Sequence, residues 1–147
     1  MIDTDAFLRQ EVESASPAKL RWLLLQRAHG LTLSIKEFWL RGQVDEAKQW
    51  FILTQEILTE LLEGIVDPKH ELAKQQSDLY VFVTRLLIMA GQNHDVQTLA
   101  NVTEILEIEK ATWEMLVRKE TLSYALSSPI YPENQSESPY VGFDQEA

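Results

Sequence analysis

The chain contains no cysteine, and this absence excludes a disulfide framework and any metal site built from thiolates. It also lacks a run of about 18 apolar residues, the length that a helix needs to cross a membrane. Basic residues are few, since 13 Lys and Arg face 23 Asp and Glu for a formal net charge of −10. Phosphate backbones and anionic lipids repel such a chain, so we predict no nucleic-acid binding and no membrane insertion.

The beginning of the sequence does not resemble a secretory signal peptide, because its first residues are acidic rather than basic and then apolar. The lack of cysteine also fits a reducing compartment. We therefore predict a cytoplasmic protein, and the length of 147 residues suits one domain.

Motifs for catalysis are also missing. The sequence has no Walker motif, no glycine-rich phosphate loop and no G-x-S-x-G. None of the three histidines, His29, His70 and His94, follows a glutamate by three residues, as helical-bundle metal sites require. We therefore predict no metal, no cofactor and no enzymatic activity, and an unrecognised helical-bundle enzyme is the least favoured alternative.

Apolar residues make up 45% of the chain and recur at helical spacing, with no sustained strand alternation. Ser16 followed by Pro17 is typical of a helix start, and Gly42 is typical of a helix stop. Asp67-Pro68 and Asp95 predict the starts of two later helices. The four predicted helices cover residues 17–40, 44–62 or 44–65, 67–91 and 95–122.

Long helices with such short connections must turn back on one another, which predicts an all-α, antiparallel up-down four-helix bundle. A short N-terminal helix or arm is predicted over residues 4–13. Residues 123–147 hold three of the five prolines and no Lys or Arg, so we predict an irregular, acidic tail. The predicted division is a bundle domain over residues 1–122 and a tail over residues 123–147.

Two of the predicted helices carry more apolar residues than one buried stripe requires. In the first, the predicted core stripe consists of Leu20, Leu23, Leu24, Arg27, Leu31 and Phe38, and a second stripe consists of Trp22, Leu25, His29 and Leu33. In the third, the predicted core face consists of Leu72, Leu79, Val83, Leu86 and Ala90, and Phe82 and Met89 lie beside it. These residues either extend the core under the arm or tail, or form an exposed groove for a partner helix. Composition and spacing leave both alternatives open.

The segment Ser14-Ala15-Ser16-Pro17-Ala18-Lys19-Leu20 resembles the signature (T/S)ASPxKL of the flagellin-specific secretion chaperones, the FliS family. Leu79-Tyr80 with Arg85-Leu86 is similar to a second pattern of that family, and Trp113 takes the place of its late-helix tryptophan. The likeness covers roughly residues 7–119 in order. No single motif is highly specific, and the likeness rests on the order and spacing of the motifs together.

The resemblance implies a chaperone that binds the C-terminal helical region of flagellin, prevents premature polymerisation and delivers flagellin to the flagellar export apparatus. Export-apparatus components or a co-chaperone are further candidate partners, and the protein itself is expected to be a monomer or weak dimer. In the family the N-terminal segment covers part of the client surface, which makes Phe7 and Leu8 candidate plugs. The predicted partner-binding residues are therefore Phe7, Leu8, Trp22, Leu25, His29, Leu33, Phe82 and Met89.

The first helix departs from the family pattern. After Leu24 this chain has Leu25-Gln26-Arg27-Ala28, where the family often has Tyr-Asp-Gly-Ala. This departure motivates an alternative function, a regulatory adaptor that binds a non-flagellin partner such as an anti-sigma factor or another secretion component.

Overall fold

Ser16 begins the first helix as the sequence predicts. Its side-chain oxygen accepts a hydrogen bond from the Lys19 backbone N–H at 3.2 Å, and Pro17 occupies the first turn, where a missing N–H costs nothing. The computed structural model describes residues 16–65, 67 and 69–127. Within them the helices are α1 (Pro17–Leu40), α2 (Lys48–Glu63), α3 (Glu71–Asn93) and α4 (Val96–Ser127), with a 3₁₀ turn at Asp45–Ala47 before α2.

The start of α3 differs from the prediction. Asp67 does not cap the helix and has a backbone φ of +56°, in the left-handed region. The cap is instead His70, whose Nδ1 accepts a hydrogen bond from the Leu72 N–H at 3.3 Å. The predicted start at Asp67-Pro68 is therefore wrong by several residues.

The start of α4 agrees with the prediction, and its end does not. The Asp95 carboxylate accepts hydrogen bonds from the Gln97 N–H at 3.0 Å and from the Thr98 hydroxyl at 2.7 Å. These bonds, chiefly that from Thr98, hold the pKa of Asp95 below its usual value. The helix ends at Ser127, so residues 123–127 are helical and not irregular.

Contacts between helix ends show that α1 and α2 are antiparallel. Arg21, near the start of α1, donates a hydrogen bond to the backbone carbonyl of Leu61, near the end of α2, at 2.9 Å. Trp39, near the end of α1, lies beside Phe51 near the start of α2, with ring centroids 6.1 Å apart. No strand occurs in the described ranges, and the prediction of an all-α bundle is confirmed.

The chain divides into two compact units, Met1–Glu114 and Met115–Ala147. The core of the first unit is apolar and draws on every helix. Its buried apolar residues are Leu25, Ala28, Leu31, Ile35, Trp39, Ala47, Ile57, Leu58, Leu61, Tyr80, Val83, Leu87, Ala90, Leu99, Val102 and Leu106. In the second unit the described residues 115–127 continue α4, and Leu122, Tyr124 and Leu126 are exposed there.

A polar cluster crosses the core of the first unit. The Arg21 guanidinium lies 5.3 Å from the Tyr80 ring centre and 5.2 Å from that of Trp113, and it also bonds the Leu61 carbonyl. The Tyr80 hydroxyl donates a buried hydrogen bond to Glu109 at 2.9 Å. Burial raises the pKa of Tyr80, and the Glu109 charge raises it further, so the phenol stays protonated as a donor.

Two helix-interior glycines make a matched pair for mutation. A Cβ added at Gly30 would meet nothing within 4 Å, whereas one at Gly91 would lie 2.5 Å from the tip of the Phe51 ring. We expect Gly30→Ala to raise the free energy of unfolding by about 0.5–1 kcal/mol, because alanine is the better helix former. For Gly91→Ala we expect a net fall of about 1 kcal/mol in the free energy of unfolding. The Phe51 ring must move to make room for the new Cβ, and this cost outweighs the better helix propensity of alanine.

Urea denaturation of both variants followed by circular dichroism measures the difference. Equal stabilisation by the two substitutions would show that the Phe51 ring does not pack against Gly91.

Candidate partner-binding surface

A seam of apolar side chains runs along α3. Leu72, Phe82 and Met89 are 65%, 52% and 56% exposed, and Leu79 and Leu86 are half-buried against the core. Successive members, from Leu72 to Met89, are seven, three, four and three residues apart. This is the a/d spacing with which one helix receives another in a coiled coil. We call these five residues the α3 seam.

The α3 seam is long enough for a helix of several turns. From Leu72 to Met89 it spans about 26 Å at the rise of an α-helix. The Tyr80–Glu109 hydrogen bond places α4 beside this part of α3. Ile105, one turn before Glu109, is half-buried, and Ile108 is 61% exposed. Apolar surface is therefore present on α4 as well as in the α3 seam.

A second apolar surface lies on α1 and consists of Trp22, His29 and Leu33, which we call the α1 stripe. Leu33 is 46% exposed, while Trp22 and His29 are half-buried. The Trp22 indole nitrogen is buried without an acceptor among the described residues. Burial lowers the pKa of His29, and the charge of Lys110 on α4 lowers it further, so this side chain is neutral near pH 7.

The α1 stripe does not include Leu25, contrary to the sequence-based expectation. Leu25 is 0% exposed and belongs to the core together with Ala28 and Ile35. The two stripes of α1 are rotated relative to the prediction, because Arg27, expected in the core stripe, is exposed. Leu25 is therefore not part of an exposed surface.

The predicted partner-binding residues thus divide among separate places. Phe82 and Met89 lie in the α3 seam, whereas Trp22, His29 and Leu33 lie on α1, where His29 faces α4. Phe7 and Leu8 lie outside the described residues. The described residues of this set that reach the surface thus lie in two separate places, the α3 seam and the α1 stripe.

Within the described ranges, no group of three or more His, Asp or Glu side chains is placed to hold a metal ion. In the same ranges, no helix combines the length and apolarity needed to cross a membrane.

The family model for the flagellar protein FliS matches residues 3–120. That match covers most of the 147 residues and includes α1, α2, α3 and most of α4. The chain belongs to the FliS family. FliS proteins are flagellar export chaperones, and the helical bundle described above agrees with that assignment. No curated protein matches the chain.

The seam of this FliS protein contains residues that the sequence pattern assigned to the core. Leu72, Leu79 and Leu86 share a helical face with Val83 and Ala90, and all five were expected to be buried. Leu72 is in fact exposed, and Leu79 and Leu86 are covered only in part. The seven-three-four-three spacing with Phe82 and Met89 places these leucines on one face, but their exposure is evident only in the packed structure.

Proposed function

We propose that this FliS protein is a cytoplasmic export chaperone that binds the C-terminal helical segment of flagellin. Binding keeps flagellin from polymerising early and delivers it to the export apparatus. The observation that carries the proposal is the α3 seam, because its spacing suits an apolar helix and its outer members are exposed. Family membership supports the same reading.

The energetics favour a client that folds as it binds. Each large apolar side chain that passes from water into contact contributes roughly 1.5–3 kcal/mol. Five seam residues, three of them more than half exposed, provide several such contributions. Ordering a flexible client and fixing it on the surface consume much of this gain. The net affinity then depends on the few most exposed seam residues, Phe82 and Met89 among them.

We expect Phe82→Glu and Met89→Glu each to raise the Kd for a flagellin C-terminal fragment by about 10–100-fold, because a carboxylate cannot be buried in an apolar seam. Isothermal titration calorimetry with the purified full chain measures the change. Ile88→Glu is the matched control, since Ile88 is 43% exposed on the same helix but outside the seam. It should leave the Kd within about twofold.

A fragment that binds all three variants as tightly as the unmodified protein would rule out the α3 seam as the client surface. Absence of any complex at micromolar concentration would rule out flagellin as the client. Circular dichroism of each variant shows whether the bundle is intact, so that loss of binding is not confused with unfolding.

The adaptor alternative is weaker than the sequence indicated. The reason to consider an adaptor is the departure from the family pattern at Leu25-Gln26-Arg27. Of these residues, Leu25 is buried in the core. Only Gln26 and Arg27 are exposed to meet a partner. Recovery of an anti-sigma factor or another secretion component without flagellin in a pull-down from native cytoplasm would favour the adaptor.

A further inference from the structure

A cavity of about 350 Å³ lies where the end of α1, the start of α2 and the end of α3 meet. Aromatic side chains form much of its wall, with the Trp39 and His94 rings edge to face at 5.3 Å. Gly91 presents no side chain, so the Phe51 ring packs directly against α3. The lining includes Trp39, Val44, Phe51, Ile52, Gly91 and His94. The volume falls in the lower range of known binding pockets, about 300–1,000 Å³.

An acidic strip on the outer face of α2 begins beside the cavity. Ile52, 47% exposed, lines the cavity, and Gln55, Glu56, Thr59 and Glu60 follow it along the same face of α2. Glu56 and Glu60 follow Ile52 by one and two helical turns, about 6 and 12 Å along α2. After Lys48, α2 carries three glutamates and neither Lys nor Arg. In the described part of the chain, neither Glu56 nor Glu60 forms an ion pair.

We propose that this cavity and the acidic strip beside it form a second docking site, for a basic amphipathic helix of another protein. One large apolar side chain of that helix enters the cavity. Lys or Arg residues four and eight positions away lie along Glu56 and Glu60, matching the spacing of the carboxylates on α2. Charge complementarity selects this occupant, because a neutral helix gains nothing from the Glu56 and Glu60 carboxylates and an acidic helix is repelled by them.

The site is distinct from the surface proposed for the client. Gly91, in the cavity wall, and Met89, in the α3 seam, are two residues apart on α3 and therefore about 160° apart around the helix. A partner bound at one surface therefore does not block the other surface. The chaperone can thus hold its client on α3 while a basic partner docks on α2.

Fluorescence anisotropy with a labelled model peptide tests the proposal. The peptide is a helix of about 18 residues, rich in Ala and Gln, with one Phe anchor and Lys at four and eight residues after it; a second peptide carries the Lys residues before the anchor. We expect one of the two to bind the full chain at low salt. Glu56→Lys with Glu60→Lys should raise its Kd about tenfold or more.

Three controls separate the docking site from general charge attraction. Glu104→Lys with Glu107→Lys changes the net charge equally on exposed positions of α4, and should leave the Kd within about twofold. The same peptide with Ala in place of the anchor should bind about tenfold more weakly. Phe82→Glu, in the α3 seam, should not affect peptide binding, so a failure here is distinct from a failure of the flagellin proposal.

The proposal is overturned if neither peptide binds, if the α4 variant weakens binding as much as the α2 variant, or if the anchor can be removed without loss. The comparison of the α4 and α2 variants uses matched surface substitutions, and the removal of the anchor uses the unmodified protein. Loss of stability therefore cannot produce either of these two outcomes.

Discussion

Leu25→Ala is expected to lower the free energy of unfolding by about 2–5 kcal/mol, the cost of removing most of a leucine side chain from a packed core. Leu25 is 0% exposed and packs in the core cluster of the first unit. Since a domain is typically stable by only about 5–15 kcal/mol, Leu25→Glu should leave little folded protein, because the charge would be buried without a partner. Urea denaturation followed by tryptophan fluorescence measures both effects.

Leu33→Ala is the matched control, with the same chemical change in the same helix. Leu33 is 46% exposed, so we expect a loss of no more than about 1 kcal/mol. Equal losses at Leu25 and Leu33 would mean that α1 is rotated from the orientation described. A Leu25→Glu variant that folds normally would contradict the assignment of Leu25 to the core.

The two helix starts marked by proline show what local sequence determines. Ser16-Pro17 gives a correct start because its cap needs only atoms within one turn, the Ser16 oxygen and the Lys19 N–H. Asp67-Pro68 carries the same pattern and fails. His70 lies three residues later and also provides an acceptor, and the backbone at Asp67 is left-handed. Local sequence alone does not determine which of two nearby capping residues begins the helix.

The orientation of α1 shows a second limit. The segment Leu20–Leu25 is apolar except at Arg21, so helical spacing supports more than one buried face. Arg21 packs against two aromatic rings and Leu25 is buried in the core, while Arg27 is exposed. Which face turns inward depends on α2, α3 and α4, and this information is not local to the helix.

The α3 seam and the cavity show why surfaces are harder to predict than helices. A buried stripe and an exposed seam have the same spacing, so the sequence places Leu72 on the core face and Phe82 and Met89 beside it, although all three side chains are exposed. The cavity depends on Trp39, Phe51 and Gly91, which come from three helices. Only the packed chain brings them together.

The contacts of Arg21 lead to the second large effect, because they join all four helices. Arg21→Met keeps the length of the side chain but removes the hydrogen bond to the Leu61 carbonyl and the attraction of the charge to the Tyr80 and Trp113 rings. A hydrogen bond from a charged group contributes about 1.5–3 kcal/mol, and each cation–π contact about 0.5–2 kcal/mol. We expect the free energy of unfolding to fall by about 3 kcal/mol, against about 0.5 kcal/mol or less for the exposed control Arg27→Met.

A double-mutant cycle with Tyr80→Phe distinguishes a connected cluster from a set of independent contacts. Tyr80→Phe leaves the ring beside Arg21 but removes the hydrogen bond to Glu109, which is 8% exposed and would keep a buried carboxylate without its donor. If Arg21, Tyr80 and Glu109 act together, the loss in the double variant will differ from the sum of the single losses by more than about 0.5 kcal/mol. Strict additivity would show that Arg21 stabilises the bundle independently of the Tyr80 hydroxyl, through the Leu61 carbonyl and the two aromatic rings. The buried carboxylate of Glu109 would then depend on Tyr80 independently of the arginine.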